Sequence, residues 1–322
     1  MSRRAAPLCL LADIGGTHAR FALARPDGGV DAVRVLRASD HRGLAEAAEA
    51  YLAGTGEKRR PATGAFAVAS PVTGDRIHFT NSPWSFSIRA LKRRLGLADL
   101  AVINDFLAVA LAVPALGARQ LCKVGPGRRI AGAPVAVMGP GTGLGVSLLV
   151  PDGERWVAVA TEGGHVSLPA ADAGDETVIT ALRHRFGHVS AERVLSGPGL
   201  VNLYDAVCAL AGKRAQLTEP ADIAARALDG TDRLAAETLV RFCALLGTVA
   251  GDLALSTGAR GGLFIAGGIV PGMTDYLKTS PFRDRFEAKG RFRDYLAAIP
   301  TYVITHRQPA FLGLAGLAGT GS

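Results

Sequence analysis

The chain opens with Pro7-Leu8-Cys9-Leu10-Leu11-Ala12-Asp13-Ile14-Gly15-Gly16-Thr17, a short apolar run carrying a single acid and broken by a glycine turn. An apolar run of this length bounded by glycine reads as a buried strand. Phe21-Ala22-Leu23-Ala24 resumes the extended pattern, and Val30 to Leu36 supplies a third strand. The unit is therefore strand, glycine turn, strand, strand. A helix is predicted next over His41 to Leu52, then a strand at Ala65 to Ala69, then a helix from Ser87 to Leu95 with Ser87 as N-cap. A strand at Leu100 to Ile103 ends on Asn104-Asp105, ahead of an apolar helix from Phe106 to Leu111.

The same order returns further along. Val135 to Met138 is an apolar strand, Gly139-Pro140-Gly141-Thr142-Gly143-Leu144-Gly145 a glycine loop, Val146 to Val150 and Trp156 to Ala160 two more strands, and Thr177 to Phe186 a helix. A repeated unit implies two related α/β lobes, and two lobes with facing glycine loops leave a cleft suited to a nucleotide. The expected division is a small domain of residues 1–113 with 302–322 and a large domain of residues 114–301. The middle of the chain, from Ala191 to Thr257, carries apolar residues at helical spacing, as in Leu234, Leu239, Phe242, Leu245 and Leu246, which is core packing. Gly262 to Ala266 is a late strand meeting a further turn at Gly267-Gly268, and Pro300 to Ile304 a last one. The apolar tail Phe311 to Leu317 is expected to be a helix packed on the first lobe.

Composition narrows the class. A chain of 322 residues, 48% hydrophobic and 20% charged, can bury a large core. The net charge of +8 is spread over singles and doublets such as Arg59-Arg60 and Arg93-Arg94, which argues for a solvated basic surface and against a nucleic-acid groove. Cys9, Cys122, Cys208 and Cys243 are too far apart for a C-x-x-C motif and read as reduced, buried thiols. Arg3-Arg4 before the first apolar run imitates a secretory leader, but the run stops at Asp13 and no cleavage site follows. No stretch reads as a membrane span, and the expectation is a cytoplasmic protein.

Successive backbone N–H groups in a glycine turn converge on one concavity and hold phosphate oxygens without side-chain charge. Gly15-Gly16-Thr17 fits either such a nest or an ordinary hairpin; it is neither a P-loop nor a Rossmann fingerprint, since a strand follows it. Asp13 either starts the turn or, beside phosphates, holds Mg²⁺ through its water shell. The loop Gly139 to Gly145, with the Thr142 hydroxyl among its glycines, is a second phosphate candidate. Gly267-Gly268 offers a place where a flat adenine can approach the backbone.

Asp13-Ile14-Gly15-Gly16-Thr17, Gly139 to Gly145 and Phe264-Ile265-Ala266-Gly267-Gly268 resemble the first phosphate, second phosphate and adenosine motifs of the sugar kinase, actin and Hsp70 ATPase superfamily. Within it the chain resembles the bacterial, zinc-free glucokinases from end to end. The resemblance runs through Ile103-Asn104-Asp105-Phe106, Glu162-Gly163-Gly164-His165, the long run Gly187-His188-Val189-Ser190-Ala191-Glu192-Arg193-Val194-Leu195-Ser196-Gly197, Phe264 to Pro271, and Lys289-Gly290-Arg291-Phe292. It implies a two-lobed α/β fold with a ribonuclease-H-like core in each lobe, a homodimer, Mg-ATP as phosphoryl donor and glucose as acceptor, giving glucose 6-phosphate for glycolysis. It places ATP on Ala12, Asp13, Ile14, Gly15, Gly16, Thr17, Gly141, Thr142, Gly143, Gly267 and Gly268. His18 stands where the family's loop usually carries Asn.

Phosphoryl transfer to an alcohol needs a base near the hydroxyl, help for spreading negative charge and firm positioning of an uncharged polyol. Asp105, at a strand-to-helix junction, reads by position as an N-cap; the resemblance maps it onto the family's catalytic Asp, with Asn104 as its sugar-binding neighbour. An ordinary carboxylate, ionised at neutral pH, suits that role. Glu162 and His165 flank two glycines; as a metal pair they lack a third ligand, whereas paired hydroxyls suit them. The resemblance maps both, with Glu192, onto the glucose ligands, although Glu192 by itself reads as a first-turn acid after Ser190. Asn81 is a weaker sugar-pocket candidate and equally a turn residue. Three rivals remain. A sugar-sensing repressor has no helix-turn-helix in the twelve residues before Asp13; an actin-like ATPase would lack the sugar residues; a kinase for another hexose would differ in one or two contacts.

Overall fold

The computed structural model describes residues 8–79 and 84–319. Asn81 and the first seven residues lie outside them. The chain divides into two compact units, residues 1–116 with 306–322 and residues 117–305.

In the first unit β1 (Cys9–Ile14), β2 (His18–Ala24) and β3 (Val30–Arg37) form antiparallel neighbours, α1 (Leu44–Gly54) follows, and β4 (Thr63–Val68) lies parallel to β1. A small hairpin of β5 (Arg76–His78) and β6 (Ser85–Ser87) leads into α2 (Ile88–Leu95). The cap predicted for α2 is present, the Ser87 hydroxyl accepting the Ala90 N–H. β7 (Asp99–Asn104) then pairs parallel with β4, and α3 (Asp105–Ala112) leaves its end. The sheet order is β3-β2-β1-β4-β7. Leu10 and Leu11 are both fully buried, as expected of a central strand covered on both faces, and Phe21 stacks on Tyr51 of α1 at 5.2 Å.

The second unit repeats the plan. β8 (Leu121–Val124) stands first in the chain, but β9 (Val135–Pro140), β10 (Leu144–Asp152) and β11 (Arg155–Thr161) make the same antiparallel trio. After α4 (Ala173–Phe186), α5 (Gly197–Leu210), α6 (Pro220–Leu228) and α7 (Arg233–Thr257), β12 (Leu263–Ile265) lies parallel to β9. α8 (Thr274–Thr279), α9 (Phe282–Glu287) and α10 (Arg293–Ala297) precede β13 (Thr301–Ile304), which pairs parallel with β12 and antiparallel with β8. The order is β11-β10-β9-β12-β13-β8, so the first five strands match the first unit's sheet and β8 is an addition. β13 belongs to this sheet, whereas the expected division at residue 302 cut through it. The tail forms α11 (Pro309–Gly319), which packs on α3, β4 and β1 of the first unit, as expected.

Helix α7 corrects the reading that no segment suits a membrane. By length and composition it is apolar enough to cross one, but 72% of its most apolar window is buried inside the protein. Three of the cysteines are buried and free; Cys122 is half-buried, not buried as expected.

The second unit's helices are also tied by charge. Arg285 of α9 reaches Asp172 at 2.5 Å, the nearly inaccessible Asp175 of α4 and the Thr248 hydroxyl of α7. Removing one partner of a buried pair strands the other charge, at a cost of about 3 kcal/mol. Arg285→Met should therefore lower the midpoint of urea unfolding clearly; coincident curves for variant and wild type would show that the pair contributes nothing.

Candidate active site

The first glycine turn is the β1–β2 hairpin, closed by Gly15 N–H donating to the His18 carbonyl at 3.0 Å. Its register sets Asp13 opposite Arg20, and the guanidinium lies 3.3 Å from the carboxylate. The Asp13 side chain keeps 23% of its area exposed. Burial pushes its carboxyl up, opposed by the charge and hydrogen bond of Arg20. Arg20 was missed in the sequence reading; four residues separate the paired Ile14 and Ala19, which sets position 13 opposite position 20. His18 stands opposite Arg37, and both line a cavity of about 670 Å³ with Gly16 and Thr17.

Two strands along, β7 ends on Asn104 and α3 begins with Asp105. The N-cap is Asn104, not Asp105: the Asn104 side-chain oxygen accepts the N–H groups of Phe106 at 2.9 Å and Leu107 at 3.3 Å. The helix starts one residue earlier than expected, at Asp105 instead of Phe106, which moves the cap back by one. Asn104 thereby spends its oxygen on the helix and keeps its amide N–H groups for donation. Asp105, the first helical residue, accepts Phe106 N–H on one oxygen at 2.9 Å.

The expectation that Asp105 carries an ordinary, fully ionised carboxylate needs correction. Burial first, and then the charge of Asp13, push it up to about 7, against the smaller pull of the Phe106 N–H. Two carboxyl groups converging across β4 form a site of concentrated negative charge, which suits a hydrated divalent cation held by one carboxylate and phosphate oxygens. Among the described residues no cluster of three or more metal-binding side chains occurs, so a cation caged by protein alone does not fit.

In the second unit, the Gly141-Thr142-Gly143 turn between β9 and β10 is closed by Gly141 N–H donating to the Gly143 carbonyl at 2.8 Å. Parallel pairing of β12 with β9 delivers Gly267-Gly268 to the same sheet end, with Ile269 N–H on the Pro140 carbonyl at 3.3 Å. The second and third turns are thus neighbours.

Glu162, His165 and Glu192 converge beside them. His165 Nε2 lies 3.9 Å from Glu162, and its Nδ1 lies 3.9 Å from Glu192. Glu162 and His165 are each 59% exposed, so their polar atoms are open to a ligand. The two segments carrying them are laced by backbone bonds, Leu168 N–H to Val189 O and Ala191 N–H to Val166 O, both at 2.9 Å. Gly164 permits the close approach: a Cβ there would lie 2.0 Å from the Leu144 carbonyl. Glu192 sits in a short 3-10 turn over Ala191–Arg193 whose N-cap is Ser190, which agrees with the first-turn reading of its position. Its carboxylate, however, accepts the N–H of Leu144, a contact between residues 48 apart that the sequence reading missed.

Each unit therefore assembles its own share of the expected residues: Ala12 to Thr17, Asn104 and Asp105 in one, and Gly141 to Gly143, Glu162, His165, Glu192, Gly267 and Gly268 in the other. The family model described as Glucokinase matches residues 10–320. A glucokinase from Paramagnetospirillum magneticum is 56% identical over 311 residues, 96% of this chain and 97% of its own. Among solved structures, a glucokinase from an Antarctic psychrotroph superposes with a TM-score of 0.87 at 37% identity, covering 97% of this chain and 98% of its own. A ROK family glucokinase from Streptomyces griseus shares the fold at a TM-score of 0.67 and 21% identity, over 98% of this chain and 100% of its own. On the family match and the near full-length identity, the chain belongs to the glucokinase family.

Proposed function

We propose that this chain transfers the γ-phosphoryl group of ATP to the 6-hydroxyl of glucose, with Asp105 as general base and Asn104, Glu162, His165 and Glu192 holding the sugar. Membership of the glucokinase family supports the reaction, and the observation that carries the base assignment is the Asp105 carboxyl, lifted to about 7 at a strand-to-helix corner. A base is most effective when its pKa lies near the working pH. The free Asp105 oxygen takes the hydroxyl proton as the sugar oxygen bonds to phosphorus and the bond to the leaving ADP oxygen breaks. Asn104 donates to a sugar hydroxyl; Glu162 and Glu192 accept from others, and His165 does either. Ala12 to Thr17 and Gly141 to Gly143 surround the phosphates, with the N–H groups of Gly16, Thr17, Thr142 and Gly143 and the Thr17 and Thr142 hydroxyls turned to them, and Gly267-Gly268 admit the adenosine. Asp13 would hold Mg²⁺ through water, the ion supplying charge neutralisation for the phosphates. The same reading, on family resemblance alone, takes the enzyme as a cytoplasmic homodimer that binds neither nucleic acid nor membrane.

One assay tests the scheme: ADP release from Mg-ATP over a panel of hexoses, repeated from pH 5.5 to 9. Glucose should give the highest kcat/KM. Because the active form of Asp105 is the carboxylate, kcat/KM for glucose should be flat above pH 7 and fall about tenfold per unit below it. A profile level between pH 6 and 8 rules out a base with a raised pKa. Hexose-independent ADP release would instead favour an ATPase.

A further inference from the structure

A carboxylate has two oxygens, and in Glu192 they face different partners. Oε2 accepts the N–H of Leu144 at 2.8 Å; Oε1 lies 3.9 Å from His165 Nδ1, beyond hydrogen-bonding range and free to take a ligand hydroxyl. Leu144 directly follows the Gly141-Thr142-Gly143 turn, and its residue is buried, so the Glu192 oxygen is the acceptor that satisfies an otherwise stranded amide. A Cβ on Gly143 would sit 2.5 Å from the same oxygen: the carboxylate lies directly over the turn. A second tie comes five residues on, where Gly197 N–H donates to the Gly141 carbonyl at 2.8 Å. The turn is thus pinned at both ends by the segment that starts with Glu192.

We infer that Glu192 is a positioning residue for the second glycine turn, and that its carboxylate couples sugar occupancy to nucleotide affinity. This rests on the proposed function in taking Oε1 as the sugar side and the turn as a phosphate site. A hydroxyl bound to Oε1 restricts the Glu192 side chain to the rotamer that keeps Oε2 on Leu144 N–H, so the turn is held in one shape before ATP arrives. Linkage makes the effect reciprocal: ATP tightens the sugar by the same factor. A carboxylate that merely touched the sugar would have no such influence on the nucleotide.

The test is calorimetric titration of Mg-AMPPNP with and without saturating glucose, and of glucose alone. In the wild type, glucose should tighten AMPPNP about fivefold. Glu192→Gln keeps a side-chain oxygen for Leu144 N–H, so AMPPNP alone should bind within about twofold of wild type while glucose binding falls. Glu192→Ala should weaken AMPPNP alone about tenfold, weaken glucose and abolish the coupling. AMPPNP affinity unchanged in Glu192→Ala, or no glucose effect in the wild type, overturns the inference. Weakened AMPPNP with unaltered glucose affinity overturns the coupling together with the sugar role of Glu192, and leaves Asp105 as base untouched. Should Glu192→Ala fail to fold, Gly143→Ala carries the test: its methyl displaces Oε2, so both affinities should fall, and retention of both overturns the inference.

Discussion

Asp105→Asn should lower kcat by about a thousandfold, leave KM for glucose and ATP within a few fold, and at the same time raise thermal stability. The first part follows from loss of the proton acceptor: the amide preserves shape and still accepts the Phe106 N–H, so the corner stays built. The second follows from the sign of the shift. The folded carboxyl sits at about 7, above its ordinary 3.8, so the fold favours the protonated form. Its ionisation therefore costs stability that grows as pH rises from about 4 to about 7 and is constant above. Asparagine removes that cost. With the site partly open to solvent, a gain of about 1 kcal/mol above pH 7 is expected, or about 2 °C in Tm, and none near pH 4. Turnover within tenfold of wild type would dismiss Asp105 as the base. A lower Tm at pH 8 would show that burial and Asp13 do not strain the carboxylate.

Gly267→Ala should be the most damaging single methyl in the second unit. Gly267 has φ of 88°, where side chains are strained, and a Cβ there would lie 2.2 Å from the Pro140 carbonyl oxygen. That carbonyl is held by Ile269 N–H, so neither side can retreat without opening the third turn from the second. Backbone strain and steric overlap together should cost about 4 kcal/mol and raise KM for ATP at least tenfold. Gly268→Ala is the control, because a Cβ there meets nothing within 4 Å and no left-handed φ is involved. Its stability should stay within about 1 kcal/mol of wild type. Equal urea midpoints for Gly267→Ala and wild type would remove the steric argument.

Much of the architecture was legible because apolar runs and glycine turns are local signals. The central strands β1 and β9 and their parallel successors β4 and β12 follow from short buried apolar runs, and the Ser87 cap from one hydroxyl before a helical pattern. Helix α1 starts at Leu44 and not at His41 because Ala38–Asp40 form a separate 3-10 turn and the His41 carbonyl is taken by the Trp84 indole, a contact across 43 residues. β8 carries no pattern of its own; it is a strand because β13 offers it an edge. At the site, position alone read Asp105 as a helix cap, and the roles proposed for Asn104 and Asp105 came from the family resemblance. The lifted carboxyl of Asp105 did not show, since it needs β1 and β7 brought to either side of β4. The Glu192 tie to Leu144 was equally hidden, because only the folded segments bring that carboxylate to an amide so far along the chain.

The placement of α11 governs the order in which the molecule can be completed during synthesis. This helix lies against α3 so closely that a Cβ on Gly313 would fall 1.9 Å from the Ala108 carbonyl, and α3 is the helix that begins with Asp105. Residues 117–305 emerge from the ribosome between the two halves of the first unit. The proposed base therefore gains the support of α11 only after the other unit's whole sheet has been translated, and a nascent chain stalled before residue 309 lacks the buttress beneath its acid.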